Sequence, residues 1–202
     1  MARITDEDEL RRHYGEKLAR SVTKELDRFD RHCRAFIAAS PFCLVTTSGP
    51  GGLDITPRGD PAGFVVMPDE CTLLLPDRPG NNRLDTLTNL LSDPRIGLIF
   101  MIPTVRETLR VRGEAEIRTD DDLRERVAHK GILPATVIRV TLTCAYFHCA
   151  KSILRSGLWQ PETWPEARPV ATMSEFMATA RNSDEPFESD EDMIARYRKQ
   201  LY

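Results

Sequence analysis

The chain has 202 residues, 41% of them hydrophobic and 29% charged, with a formal net charge of −3, which suits one compact domain with appended segments. That balance excludes the overall basic field of a non-specific nucleic-acid binder, and no apolar run approaches the roughly 20 residues of a membrane span. The charged N-terminus is unlike a secretory signal, and the five scattered cysteines form no CxxC pair and no zinc-spaced cluster, so the expectation is a reduced cytoplasmic protein with packed thiols and no metal.

Thr5-Asp6-Glu7-Asp8 can cap a short first helix, with acids at its positive end. Leu18, Val22, Leu26, Phe29, Cys33, Phe36 and Ile37 recur every three or four residues, the spacing of one apolar helix face. Ser40-Pro41 stops that helix, because the residue before proline avoids the helical region. Strands follow over Phe42–Thr47 and Leu53–Thr56, joined by the glycine-rich turn Ser48–Gly52. Two short strands are expected over Gly63–Met67 and Cys71–Leu75. A polar loop then leads into a helix from Leu84 to Leu91, whose leucines 84, 87, 90 and 91 are expected to face inward. Arg95–Ile102, Thr108–Ile117 and Thr136–Phe147 read as strands, and Asp120–Lys130 as a helix. After Trp159 come a proline-rich loop, a helix over Ser174–Ala180, a break at 182–186 and a final charged helix within Glu188–Tyr202. Six or seven strands with helices outside suggest a mixed β-barrel with flanking helices. Residues 1–40 form a helical segment on the barrel, 41–159 the barrel itself, and 160–202 a loop-and-helix tail too poor in apolar residues for its own core.

Three segments hold more chemistry than a barrel needs. In Thr56-Pro57-Arg58-Gly59-Asp60-Pro61 an arginine stands at a strand end beside a glycine that permits close backbone approach. A solvated surface turn is the plain alternative. Asp77-Arg78-Pro79-Gly80-Asn81-Asn82-Arg83 precedes a helix, so free amide groups, two asparagines and two arginines can cradle an anion. Capping by Asn81 or Asn82 is compatible with that role. In the segment from His148 to Trp159, Lys151 and Arg155 are four apart. Like charges on one helix face are unfavourable unless an anion meets them. A solvated basic face is the alternative. His148 has no acidic neighbour at ligand spacing, and His13, His32 and His129 fall on polar stretches where water solvates them.

The order of these segments, with ITPRGDPAGFV (55–65), LPDRPGNNRLDTLTNLLSDPRIGLIF (75–100), LRVRGEAEI (109–117) and FHCAKSILRSGLW (147–159), resembles the pyridoxamine 5′-phosphate oxidase-like, FMN-binding split-barrel family over about residues 30–159. The resemblance implies an α+β fold, a six- or seven-stranded, mostly antiparallel split β-barrel with flanking helices, as a homodimer with two FMN sites at the subunit interface. It implies that Arg58, Gly59 and Asp60 border the flavin ring, that Leu75, Pro76 and Asp77 line its other edge, and that Asn81, Asn82 and Arg83 bind the phosphate. Thr108 falls at a usually polar strand position, and Lys151, Arg155 and Trp159 reach the neighbouring subunit's site. The phosphate loop reads Asn-Asn-Arg where the vitamin B6 enzyme has Ser-Arg-Lys, and that enzyme's terminal Arg-Leu-x-Pro is missing, which points to a related subfamily. Related barrels bind F420 or haem. The expected function is a flavin-dependent oxidoreductase acting on a small-molecule substrate. A non-catalytic flavin binder or redox sensor is the alternative, and a haem-binding barrel is a third reading.

Overall fold

The computed structural model describes residues 3–16, 24–181 and 188–202. Six strands form one antiparallel sheet: β1 (Phe42–Gly49), β2 (Gly52–Gly59), β3 (Thr72–Asp77), β4 (Arg95–Met101), β5 (Thr108–Arg118) and β6 (Thr136–His148), in the order β2-β1-β4-β5-β6-β3. Seven α-helices lie among the described residues: α1 (Glu7–Tyr14), α2 (Arg31–Ala39), α3 (Asp85–Ser92), α4 (Asp121–Arg126), α5 (Lys151–Ser156), α6 (Met173–Arg181) and α7 (Asp190–Arg198). No helix among these residues is long and apolar enough to cross a membrane.

Alternating side chains build the core. Cys43 and Val45 of β1, Ile96, Leu98 and Phe100 of β4, and Leu109 and Val111 of β5 point to one face and are buried, as the period of two in a strand requires. Phe36 and Ile37 of α2 close over that face, and Phe36 meets Phe147 edge-on at 5.5 Å. Gly113 sits at a register shift in β5, where an added Cβ would lie 2.3 Å from the Thr141 carbonyl oxygen. A larger residue there would push β5 and β6 apart.

Several elements differ from their expected form. The apolar periodicity up to Ile37 is not one helix. Asp30 accepts from the amides of His32 and Cys33 and starts α2 at Arg31, while Leu26 is bridged to Ala145 in β6. Leu18 and Val22 lie outside the described residues. Gly63–Met67 forms no strand and contributes one bridge, Val66 to Leu74. In α3, Thr86 and Leu90 are buried, whereas Leu84 and Leu91 are exposed. Leu84 lies ahead of the helix in left-handed backbone, and the inner face runs through Thr86, Leu87 and Leu90. The helix at 120–130 is only α4, because Val127 to Ile132 turn back through a bridge between His129 and Ile132. His129 is half-buried and stacks on Tyr202, with ring centroids 4.1 Å apart, instead of facing water.

The sheet is staggered as well as curled. Gly59 pairs with Phe42, Phe42 with Met101, and the adjacent Phe100 with Leu109, which pairs with Phe147 near the end of β6. Asp77, at the end of β3, pairs with Thr136 at the opposite end of β6. Yet Arg58 of β2 reaches Asp77 at 3.6 Å, and Arg78 reaches Asp60 at 2.6 Å. Two edge strands from opposite sides of the sheet therefore meet end to end, as the shear of a curled sheet allows.

Candidate functional site

Where those edges meet, a cleft of about 590 Å³ opens between the end of β2, the end of β3, the loop to α3 and the 133–135 segment. Ligand sites typically fall in this size range. Strand β2 faces it with an inverted pattern. Asp54, Thr56 and Arg58 are half-buried and line the cleft, while Leu53 and Pro57 are exposed on the other side and Ile55, also largely exposed, touches the cleft rim. A strand that turns polar residues inward is shaped for a ligand more than for packing. Sequence reading singled out only Arg58 of the three, although the spacing 54, 56, 58 was the signal.

The Arg58 guanidinium is held loosely by Asp77, and its Nε is buried without a partner. An unpaired buried donor is costly, so this atom is an open demand for an acceptor. Burial pushes the Asp77 carboxyl above the usual carboxylate range, and Arg58 beside it pulls the other way without cancelling the effect. Behind Arg58, burial pushes the Cys43 thiol up to about 12, which marks it as a packing group and no nucleophile.

The loop ahead of α3 is strained and open. Asn82 and Leu84 both adopt left-handed backbone, with φ of 57° and 61°. Such a conformation is uncommon for leucine and tends to concentrate at ligand sites. The alternative role of Asn81 and Asn82, capping the helix, is not taken up. Asn81 accepts from the Arg83 amide at 3.1 Å, and no side chain caps α3. The first turn of the helix, through Asp85, Thr86 and Leu87, forms the cleft's rim with its amide groups uncapped. Arg83 is an exposed arm that pairs with Asp85 at 2.7 Å.

Of the thirteen residues expected at the site, the cleft brings together Arg58, Asp77, Asn81, Asn82 and Arg83. The others lie elsewhere in the same chain. Gly59 ends β2, and Leu75 and Pro76 are buried in β3 behind the cleft. The Asp60 side chain is 2% exposed and bound to Arg78 and Tyr202. Thr108 pairs with His148 at the far end of β6. Lys151 and Arg155 share the exposed face of α5, just past that end, and Trp159 donates to the Val105 carbonyl at 2.8 Å. Thr136, beside Asp77, is twelve residues from His148, so roughly 40 Å of strand separates Asp77 from the start of α5. Arg78 is the cleft arginine that the expected set left out.

A family model for pyridoxamine 5′-phosphate oxidase matches residues 29–149, more than half of the chain. Among solved structures, a variant of HupZ from Group A Streptococcus aligns at 16% identity over 59% of this chain and 99% of its own, with a TM-score of 0.50. A Lactobacillus delbrueckii protein provisionally named pyridoxamine 5′-phosphate oxidase aligns at 17% identity over 61% and 98%, with a TM-score of 0.48. The FAD binding protein from Mycobacterium smegmatis aligns at 15% over 61% and 97%, with a TM-score of 0.44. Identities this low speak for fold alone, which the HupZ alignment carries. No curated protein matches the chain in sequence. The chain belongs to the pyridoxamine 5′-phosphate oxidase family.

Proposed function

We propose that this family member binds FMN in the cleft between β2 and β3 and works as a flavin-dependent oxidoreductase on a small-molecule substrate. One observation carries the reading: a single cleft joins a rim of guanidinium and amide donors, interleaved with the carboxylates of Asp54, Asp77 and Asp85, to an apolar wall. The rim has three arginines and the uncapped start of α3; the wall has Ile55, Leu84, Leu87 and Leu133. A phosphate monoester is suited to the first and a planar ring to the second. The residues present fit the group. Asn81, Asn82 and Arg83 would hold the phosphate, and Arg58, with its unpartnered Nε, would border the ring together with Asp77. FMN bound there would supply the hydride and electron transfer. The chain's own residues bind and orient it, and Arg58 adds positive charge where a reduced ring carries negative charge.

The haem reading is weaker in this cleft, because among the described residues no His, Cys, Met or Tyr lines it to serve as an axial ligand. A second copy of the chain completes the site in our reading. Leu53 and Ile55 are 84% and 68% exposed, and they continue into a groove of about 740 Å³ on the outer face of the sheet, beside Leu44 and Ile99. A strand with polar residues inside and apolar residues outside asks for a partner on its outer side. A symmetric partner seated there would carry its own α5, with Lys151 and Arg155, toward the cleft.

The absorption spectrum of the purified protein tests the reading, followed by the mass of the released chromophore. Flavin bands with the mass of FMN support it; a Soret band or the mass of F420 overturns it. Steady oxidation of reduced nicotinamide separates an enzyme from a flavin store.

A further inference from the structure

The three cleft arginines are not equivalent. Arg83 is 73% exposed and held only by its near neighbour Asp85; Arg58 is loosely paired at 3.6 Å. Arg78 is 16% exposed and fixed from two sides. Its Nε donates to Asp60 at 2.6 Å, and its Nη2 donates to the Val127 carbonyl at 2.9 Å. A guanidinium has five N–H donors, so three remain without a protein partner among the described residues, on a side chain that lines the cleft. A cation already immobilised by the protein loses little freedom on meeting an anion.

What holds Arg78 comes from far along the chain. The Tyr202 hydroxyl donates to the second oxygen of Asp60. Its ring lies 5.9 Å from the Arg78 guanidinium and stacks on His129 at an interplanar angle of 9°. The hydrogen bond to Asp60 keeps the phenol proton in place, above the usual tyrosine range. Tyr202 thus touches Asp60 and Arg78 together with the 129–132 turn that leads to the cleft wall at Leu133.

We propose that Arg78 is the fixed anion-binding group of the cleft, and that Tyr202 is a positioning residue that holds it there through Asp60. For the identity of the anion, a phosphate monoester, the proposal rests on the flavin-binding reading.

The test compares FMN with riboflavin, which lacks the phosphate, by fluorescence titration of the full chain. Arg78→Lys keeps a charge on Asp60 but loses the fork, and avoids leaving that carboxylate unpaired. It should weaken FMN about tenfold or more, the worth of a hydrogen bond to a charged group, and leave riboflavin within about twofold. Tyr202→Phe keeps the stack and loses the hydroxyl; FMN should weaken about fivefold. Equal losses for both flavins, or a larger FMN loss in Arg83→Ala than in Arg78→Lys, overturn the proposal. A readout without ligand tests the positioning role. Amide exchange over residues 127–135 should quicken about fivefold in Tyr202→Phe, and an unchanged rate there sinks it. If the wild-type chain binds neither flavin, the flavin reading fails by itself and inorganic pyrophosphate becomes the probe. A rise in unfolding temperature that Arg78→Lys abolishes then supports the anion site, and no rise in the wild type refutes it.

Discussion

Removing the Asp60 carboxylate tests how the two edges of the sheet are joined. Asp60 is 2% exposed at its side chain and accepts from Arg78 and Tyr202. Asp60→Ala deletes both bonds and strands a guanidinium whose remaining protein acceptor is the Val127 carbonyl. Breaking a buried pair from one side costs about 3–5 kcal/mol, because the surviving charge is left uncompensated. Arg78 keeps 16% exposure toward the cleft, so water can reach it and the lower end, about 3 kcal/mol, is expected. For a chain of this length that amounts to a fall of about 6–12 °C in Tm. Thermal unfolding followed by circular dichroism measures it, and urea midpoints confirm it at 25 °C. The loss should persist in high salt, since a buried pair is little screened. Adding Arg78→Ala should recover part of it, with a coupling of about 1–3 kcal/mol. A Tm drop of less than about 2 °C, or strictly additive single losses, would refute the reasoning.

Four further outcomes follow from the same geometry. Burial raises the Asp77 carboxyl in the folded state above its unfolded value; the folded chain then binds more protons than the unfolded one between those two pKa values, and stability falls as pH rises through that interval. Asp77→Asn should flatten that stretch of the stability–pH curve, and an unchanged slope counts against the assignment. Gly49→Ala would place a Cβ 2.1 Å from the Asn89 Oδ1 and 3.2 Å from the Asn89 Cα on α3; the overpacking should cost about 1–3 kcal/mol in urea unfolding, and a neutral substitution would show that α3 yields freely. Arg58→Ala should lower the midpoint potential of bound FMN, because lost positive charge disfavours the reduced anion; an equal or higher potential argues that Arg58 is not beside the ring. If Arg78→Ala and Arg155→Ala each abolish binding alone, a randomly exchanged equal mixture should regain FMN in about a quarter of its sites, and no recovery after verified exchange rejects a site shared between two chains.

Local chemistry was legible in the sequence, and long-range register was not. Alternation in 108–117 and apolar runs in 42–47, 95–102 and 136–147 located β5, β1, β4 and β6, whose buried residues recur at about every second position. The Asn-Asn-Arg loop read as an anion cradle from composition alone, and it does form a rim of the cleft. Helix α2 was overextended because the apolar spacing continues through Leu26 and Phe29, while Asp30 ends the run by accepting from two amides. Periodicity records which residues are apolar and does not record where a carboxylate captures the backbone. Asp60 illustrates the same limit from the other side. Its place beside Arg58 suggested a group at the ligand, but it is turned away into a buried pair with a residue 18 positions on and a hydroxyl 142 positions on.

The stagger of the sheet explains why the site exists at all. In a flat antiparallel sheet of this order, β2 and β3 are the two outermost strands, separated by four others, and their polar ends would be unrelated edges in water. Curling brings the edges round, and the displacement along β6 sets the end of β2 against the end of β3. Neither edge completes the other with backbone hydrogen bonds. Arg58–Asp77 and Asp60–Arg78 join them through side chains, which leaves a gap lined by charged residues. A closed barrel would have paired those backbones and filled the gap. The split that weakens the sheet therefore also creates the cleft, and the ion pairs across it set the positions of two of the three arginines that line it.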